Sequence, residues 1–475
     1  MMKKTLFLSP PSFDGFDGGA GSRYQARREI RSFWFPTWLA QPAAMVPGSR
    51  LVDAPPRGTT VEEVVKMAGD YELVVMHTST PSFANDARVA EAMKDANPRL
   101  QIGMVGAHVA VNPEPSLRAS KAIDFVTGPE FDYTVQEIAQ GRPLEEVDGV
   151  MFLRGGEMVK TRDRALIDNM DALPSVVDVY KRDLVIEDYF IGYLKHPYVS
   201  FYTGRGCRSH CTFCLWPQTI AGHTYRTRSP QVVADEVARV AREFPQVQEV
   251  FFDDDTFTDD RPRAQAVAKL LGPLGVTWSC NAKANVPYET LKILRDNGLR
   301  LLLVGYESGN QQILNNIRKG IRLDIARRFT EDCHKLGIKI HGTFIMGLPG
   351  ETHETIEETI RYAREINPHT IQVSLAAAYP GTELYGQAGE RGWLRRDDSH
   401  LVAGNGLQIS SIEYPHMSHE EIFEALAMFY KRFYFRPGKI AEIVLEMAQS
   451  WDMTKRRLRE GVEFFRFLRQ RADAA

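Results

Sequence analysis

The stretch YVSFYTGRGCRSHCTFCLW, Tyr198 to Trp216, decides how this chain is read. The apolar run Tyr198 to Thr203 has the length and side-chain content of a strand. Directly after it come Cys207, Cys211 and Cys214 at C-x3-C-x2-C spacing. Three close thiolates can hold three irons of a four-iron, four-sulfur cluster and leave the fourth iron open. An open iron can bind a small molecule and pass it one electron. That is the starting point of radical chemistry, in which the cofactor carries the hard step and the protein positions it. Zinc is the competing reading, but structural zinc takes four ligands, usually as two pairs. Cys280 and Cys333 are isolated and distant, and His210 abuts Cys211, which makes convergence on one ion awkward. Five cysteines in 475 residues do not make a disulfide framework.

Downstream of this loop, short apolar runs alternate with helical patterns such as Val232 to Glu243. Strands are expected at Tyr198 to Thr203, Glu249 to Asp253, Thr277 to Asn281, Leu301 to Tyr306, Lys339 to Met346 and Ile371 to Leu375. Six βα units over residues 196–385 predict a partial barrel whose functional groups crowd the carboxyl ends of the strands. Those ends read Asp253-Asp254-Asp255, Asn281-Ala282-Lys283, Glu307-Ser308-Gly309 and Ile345-Met346-Gly347. Carboxylates there can accept hydrogen bonds from an amine or ribose hydroxyls, although one acidic run by itself is more often a solvated turn. Lys283 can pair with a carboxylate. The glycines permit close backbone approach to a planar ligand.

Upstream, residues 1–145 carry a second alternation. Strands are expected at Thr5 to Ser9, Arg50 to Ala54, Glu72 to His77, Leu100 to Val105 and Ala122 to Val126, with helices such as Thr60 to Ala68 and Asn85 to Asp95 between them. This pattern predicts a doubly wound parallel sheet, whose ligands sit at the carboxyl ends of the strands. The residues there are Thr78, Ser79, Thr80, Gly106, His108, Gly128 and Glu130, a set that suits a polar cofactor. Residues 146–195 read as a linker with a hairpin around Gly155-Gly156, and 386–475 as a helical C-terminal region. The composition, 43% hydrophobic and 25% charged, fits globular protein, and a net charge of -3 gives no general attraction to nucleic acid. The start MMKKTLFLSPPS is too short in apolar residues for a signal peptide, and no run approaches the ~18 residues that span a bilayer. A cytoplasmic location is expected, where free thiols and oxygen-sensitive clusters survive.

The motif C-x3-C-x-F-C, with Phe213 before the last cysteine, resembles the signature of the radical S-adenosylmethionine (SAM) superfamily. The resemblance implies that Cys207, Cys211 and Cys214 ligate a 4Fe-4S cluster whose open iron takes the amino and carboxylate groups of SAM. It implies further that Asp253, Asp254 and Asp255 contact the methionine amino group, Lys283, Glu307 and Ser308 the carboxylate and ribose, and Ile345 to Gly347 the adenine. The family often has arginine where this chain has Lys283. An electron donor such as flavodoxin or ferredoxin would reduce the cluster.

The order of an α/β domain, a barrel and Ala378-Tyr-Pro-Gly-Thr-Glu-Leu-Tyr385 resembles the cobalamin-binding subgroup, with Gly106-Ala107-His108 and Thr127-Gly128-Pro129-Glu130 as cobalamin loops. The D-x-H-x-x-G motif for a histidine lower ligand is absent. At finer grain the chain is similar to the hopanoid-biosynthesis branch, the cyclitol ether synthases. That likeness implies ring contraction of a glucosamine head group on a bacteriohopanetetrol lipid through a 5′-deoxyadenosyl radical. The first rival is methylation of an unactivated carbon with the same cofactors, and the second is a cobalamin or redox sensor without catalysis. In the tail, Leu458, Val462, Phe465 and Leu468 recur at near-helical spacing among cations, a pattern open to peripheral membrane contact or to packing on the barrel.

Overall fold

The computed structural model describes residues 2–13, 30, 32–395, 401–402, 406–448 and 451–472. Two sheets organise it. The first contains β1 (Thr5–Ser9), β2 (Arg50–Asp53), β3 (Leu73–His77), β4 (Gln101–Val105), β5 (Phe125–Thr127), β6 (Val150–Arg154) and β7 (Glu157–Lys160), in the order β2-β1-β3-β4-β5-β6-β7. The first five are parallel. Their near-continuous Val, Leu, Ile and Met runs follow from burial on both faces. Leu6, Leu8, Val74 and Met76 pack into one core, while Phe7, Leu73 and Val75 belong to another that continues into the second half of the molecule.

The hairpin that the sequence puts in a linker is part of this sheet. Val126 pairs antiparallel with Met151, so β6 and β7 extend its edge. The turn is Gly155-Gly156, with φ of +59° and +89°, a left-handed pair suited to glycine.

The second sheet contains β8 (Tyr198–Phe201), β11 (Glu249–Phe252), β12 (Trp278–Ala282), β13 (Leu299–Glu307), β14 (Lys339–Met346) and β15 (Thr370–Leu375), in the order β15-β14-β13-β12-β11-β8. A short antiparallel pair, β9 (Gly204–Arg205) and β10 (Arg226–Thr227), brackets the cysteine loop. All six strands of the second sheet run parallel, so the sheet is an open half-barrel with every carboxyl end at one rim. The outer edge of β15 is closed by the helix His419–Tyr434: Ile371 and Val373 donate their N–H groups to the hydroxyls of Tyr434 and Tyr430. That cover removes an edge open to strand pairing. Two more helices, Pro437–Met447 and Trp451–Ala472, complete the described C-terminal region. The α/β class expected from the sequence, a doubly wound sheet followed by a partial barrel and a helical end, is the fold observed.

Candidate active site

The three cysteines lie where β8 ends. Cys207 and Cys211 are buried and Cys214 is half-buried; none is in a disulfide. Gln218 gathers the loop by donating to the carbonyls of Cys211, Thr212 and Cys214. Phe213 is half-buried against the main core. Burial raises the Cys211 thiol. Burial raises Cys214 well above its usual value, with the Asp255 carboxylate and the other two thiols adding to the effect. These thiols stay protonated until a cation replaces their protons, which is how a metal centre couples to proton release. Among the described residues, no three His, Cys, Asp or Glu side chains converge on a single ion. A four-iron cluster takes one thiolate per iron.

The three aspartates after β11 have three different fates. Asp254 is fully buried and engaged: Thr203 donates its backbone N–H and its hydroxyl, and Tyr225 its hydroxyl, to the carboxylate. It ties β8 and the cysteine loop to β11 through three accepted hydrogen bonds, which gives it a structural role. Asp253 is buried at the strand end, and Asp255 is half-buried close enough to Cys214 to act on its charge. Lys283 is paired with Asp259 at 3.1 Å. Ser308 shares its hydroxyl with Thr359 and so fixes β13 to the helix His353–Ile366. Ile345 is half-buried at the end of β14. Gly347 has φ of +85°, and a Cβ there would meet Ile422 at 2.7 Å; its N–H donates to Glu351 and its carbonyl accepts from Tyr414. Close packing of its own chain is enough to require glycine here.

Glu307 sits at φ +64°, a left-handed conformation that costs a non-glycine residue of order 1–3 kcal/mol. Its carboxylate holds the Lys319 ammonium at 2.6 Å. Burial alone would lower the Lys319 pKa, but the Glu307 carboxylate raises it, as Cys211 and Cys214 do once ionised, so it stays charged beside the cysteines. Sequence reading missed Lys319. It follows Arg318, which is itself at φ +52°, in a turn with no motif. Among the described residues a few buried polar atoms around this rim have no partner, among them Asn281 Oδ1, Asp259 Oδ2 and Thr212 Oγ1. Orphaned atoms of this kind fit a site built for a polar ligand.

The carboxyl ends of the first sheet make the other wall. Thr78 donates to Asp86, Ser79 shares a proton with Ser82, and Thr80 meets His108 Nδ1 at 3.2 Å. His108 also stacks on Phe83 at 4.5 Å, and burial lowers its pKa to about 4, so it is neutral. Gly106, at φ +120°, lets the chain pass the Thr78 carbonyl, which a Cβ would strike at 2.4 Å. Ser9 Oγ, His77 Nδ1 and Thr127 Oγ1, at the ends of β1, β3 and β5, are buried and have no hydrogen-bond partner among the described residues. Three orphaned polar atoms along one sheet edge fit a polar cofactor lying over it.

Glu130 departs from its expected place in that set. It is fully buried at φ +44°. Its carboxylate accepts from Arg226 through both oxygens at 2.7 Å and from the Ile167 N–H. Next to it, Asp132 takes Arg205 in a bidentate pair at 2.7 and 3.1 Å, and Arg205 stacks over Trp38 at 4.5 Å. Arg205 lies two residues before Cys207, and Asp132 begins the helix Asp132–Ala139 of the first sheet. These two pairs are therefore a joint that fixes the loop after β5 against the cysteine loop. Gly128 and Pro129 line a cleft with Gln218, Thr219 and Ile220, just after the cysteines. Nothing in the local sequence announces this joint, because its partners lie 73 and 96 residues apart.

Residues 201–363 match the Radical SAM superfamily model. Among curated proteins, the chain is 28% identical over 433 residues to an uncharacterized methyltransferase of Pyrococcus horikoshii, covering 86% of this chain and 90% of that protein. It is 24% identical over 330 residues to the cobalamin-dependent radical SAM methyltransferase TokK of Streptomyces tokunonensis, covering 65% of this chain and 47% of the relative. Its fold is similar to that of the radical SAM methyltransferase TsrM from Kitasatospora setae, solved with cobalamin and a [4Fe-4S] cluster. The TM-score is 0.67 at 13% identity over the whole of both chains. The hopanoid likeness gains nothing from these relatives. With Cys207, Cys211 and Cys214 at the carboxyl rim of the half-barrel, the stretch that matches the radical SAM superfamily model runs from the end of β8 into the helix after β14.

Proposed function

We propose that this chain is a cobalamin-dependent radical SAM methyltransferase that methylates a carbon its substrate does not activate. The observation that carries the reading is the joint of Arg205–Asp132 and Arg226–Glu130, which sets a cysteine loop opposite a sheet edge with orphaned polar atoms. Cys207, Cys211 and Cys214 would hold three irons, and Ser9, His77, Thr127 and the Gly106 and Gly128 loops would receive the corrin. When bound, the cluster supplies an electron to SAM and the cobalamin carries a methyl group. The protein's own work is positional. Lys319 keeps a positive charge beside the thiolates, and Glu307 keeps Lys319 in place. Asp253 and Asp255 offer carboxylates to the SAM amino group, while Asp254 holds the loop that carries the cysteines. The two ion pairs of the joint are themselves buried, next to the space where a radical would need protection from water.

The names of the relatives favour methyl transfer over ring contraction of a hopanoid head group. The test is anaerobic reconstitution followed by reaction with glucosaminyl bacteriohopanetetrol and a panel of unrelated acceptors. A product heavier by one methylene, from any acceptor, supports the proposal. A lipid product of unchanged mass and shifted retention time would transfer the assignment to the cyclitol ether synthases.

A further inference from the structure

Fifteen large apolar side chains are exposed among the described residues, and eight of them lie between positions 435 and 465. They include Val444 and Leu445 on the helix Pro437–Met447, and Trp451, Leu458, Val462 and Phe465 on the helix Trp451–Ala472. The most exposed are Trp451 at 69% and Leu445 at 68%. Solitary exposed apolar residues are ordinary, but a contiguous patch marks an interaction surface. Continuity is clear here, because Phe435 stacks on Phe465 at 5.9 Å and a cavity of about 290 Å³ opens between the two helices.

At ~100° per residue, Trp451, Leu458, Val462 and Phe465 fall in one sector of about 60°. Lys455, Arg459, Arg466 and Arg469 lie within or beside it, and all four are exposed. Lys455 sits 5.5 Å over the Trp451 ring and Arg459 4.3 Å over Phe190. Of the helix's described carboxylates, Glu460 is buried and paired with Arg456 and Arg457, and Glu463 is half-buried. Among the described side chains of this helix the exposed charges are thus all positive, and on the helix Pro437–Met447 the exposed Glu442 is paired with Lys439. No described helix is long and apolar enough to cross a membrane.

We infer that this two-helix face docks the protein on the surface of an anionic lipid bilayer. An apolar stripe edged by cations is what an interfacial helix needs, with rings and aliphatic chains below the headgroups and cations among the phosphates. A second copy is the poorer occupant, since a two-fold contact would oppose the same four cations to themselves. The cavity reaches His341 and Thr370 at the amino ends of β14 and β15, the rim opposite the cysteines. Docking therefore anchors the chain by its floor and leaves the cysteine rim uncovered. This surface does not depend on the chemistry of the cleft.

The test is flotation of the full chain with vesicles of equal phosphatidylglycerol and phosphatidylcholine, and with phosphatidylcholine alone. The protein should float with the anionic vesicles, at least tenfold less with neutral ones, and less at high salt. The variant Leu458→Ser/Val462→Ser/Phe465→Ser should lose flotation at least tenfold, and Lys455→Glu/Arg459→Glu severalfold, with unchanged circular dichroism and melting temperature. Equal flotation of the triple variant, or none by the native chain, would overturn the inference. So would a dimer, seen by light scattering without lipid, that the triple variant dissolves.

Discussion

Replacing Asp132 by asparagine tests the joint between the two sheets. Asp132 is fully buried and Arg205 is 1% exposed, so the substitution leaves a guanidinium in the interior with most of its counter-charge gone. Removing one partner of a buried ion pair costs about 3–5 kcal/mol. The lower end applies here, because Glu130 lies 3.9 Å from the same guanidinium and keeps some compensation. In urea with a slope of about 3 kcal/mol/M, a loss of about 3 kcal/mol moves the midpoint down by about 1 M. The assay is tryptophan fluorescence, since Trp38 lies under Arg205 and stacks on Trp216 at 5.9 Å. The double variant Arg205→Met/Asp132→Leu removes both charges and leaves nothing buried without a partner. It should recover most of the lost stability, so the two sites are strongly non-additive. A midpoint shift under about 0.3 M for Asp132→Asn, or a double variant no better than the sum of the single ones, would refute the reasoning.

Three further outcomes follow from the same geometry. Any one of Cys207→Ala, Cys211→Ala or Cys214→Ala should strip most iron and sulfide from reconstituted protein, whereas Cys280→Ala and Cys333→Ala, both buried core thiols, should retain a full complement by colorimetric assay. Lys319→Met removes a positive charge beside the thiols, so potentiometry should find the cluster's midpoint more negative than in the parent; an unchanged or more positive value would contradict this role. Burial pushes Asp86 up to about 7 from an ordinary 3.8, against the hydroxyls of Thr78 and Ser82 that hold the charged form. The folded state keeps that proton where the unfolded chain has lost it. Its contribution is full below about 4 and fades as pH rises through about 7, by up to about 4 kcal/mol. Asp86→Asn should flatten the decline of melting temperature between pH 5 and 8, and an identical decline would count against it.

Much of this molecule is legible in its sequence, for physical reasons. Parallel strands covered on both faces must be apolar throughout, so runs such as LFLS and LVVMH declare themselves, and β14 falls where the sequence reading has it. The cysteines are legible because cluster geometry dictates their spacing. What the sequence hides is which side chains meet. Asp253, Asp254 and Asp255 are the same letter three times, yet Asp254 is consumed by Thr203 and Tyr225, which come from other parts of the chain. Glu130 lies in a loop whose glycine faces the cleft, but a positive φ turns its carboxylate onto Arg226. Lys319 gains its role from Glu307 across a turn. The tail reads ambiguously as either packed or exposed, and both halves of the ambiguity are real: Phe467 and Leu468 pack on the core while Leu458, Val462 and Phe465 face outward.

The most direct test of the central proposal is the fate of SAM itself, which requires no knowledge of the acceptor. Reconstituted, reduced enzyme is incubated anaerobically with SAM, with and without cobalamin, and the nucleoside products are quantified by mass spectrometry. The account predicts S-adenosylhomocysteine that appears only when cobalamin is present. Consumption of SAM to 5′-deoxyadenosine alone, at the same rate with or without cobalamin, would contradict it.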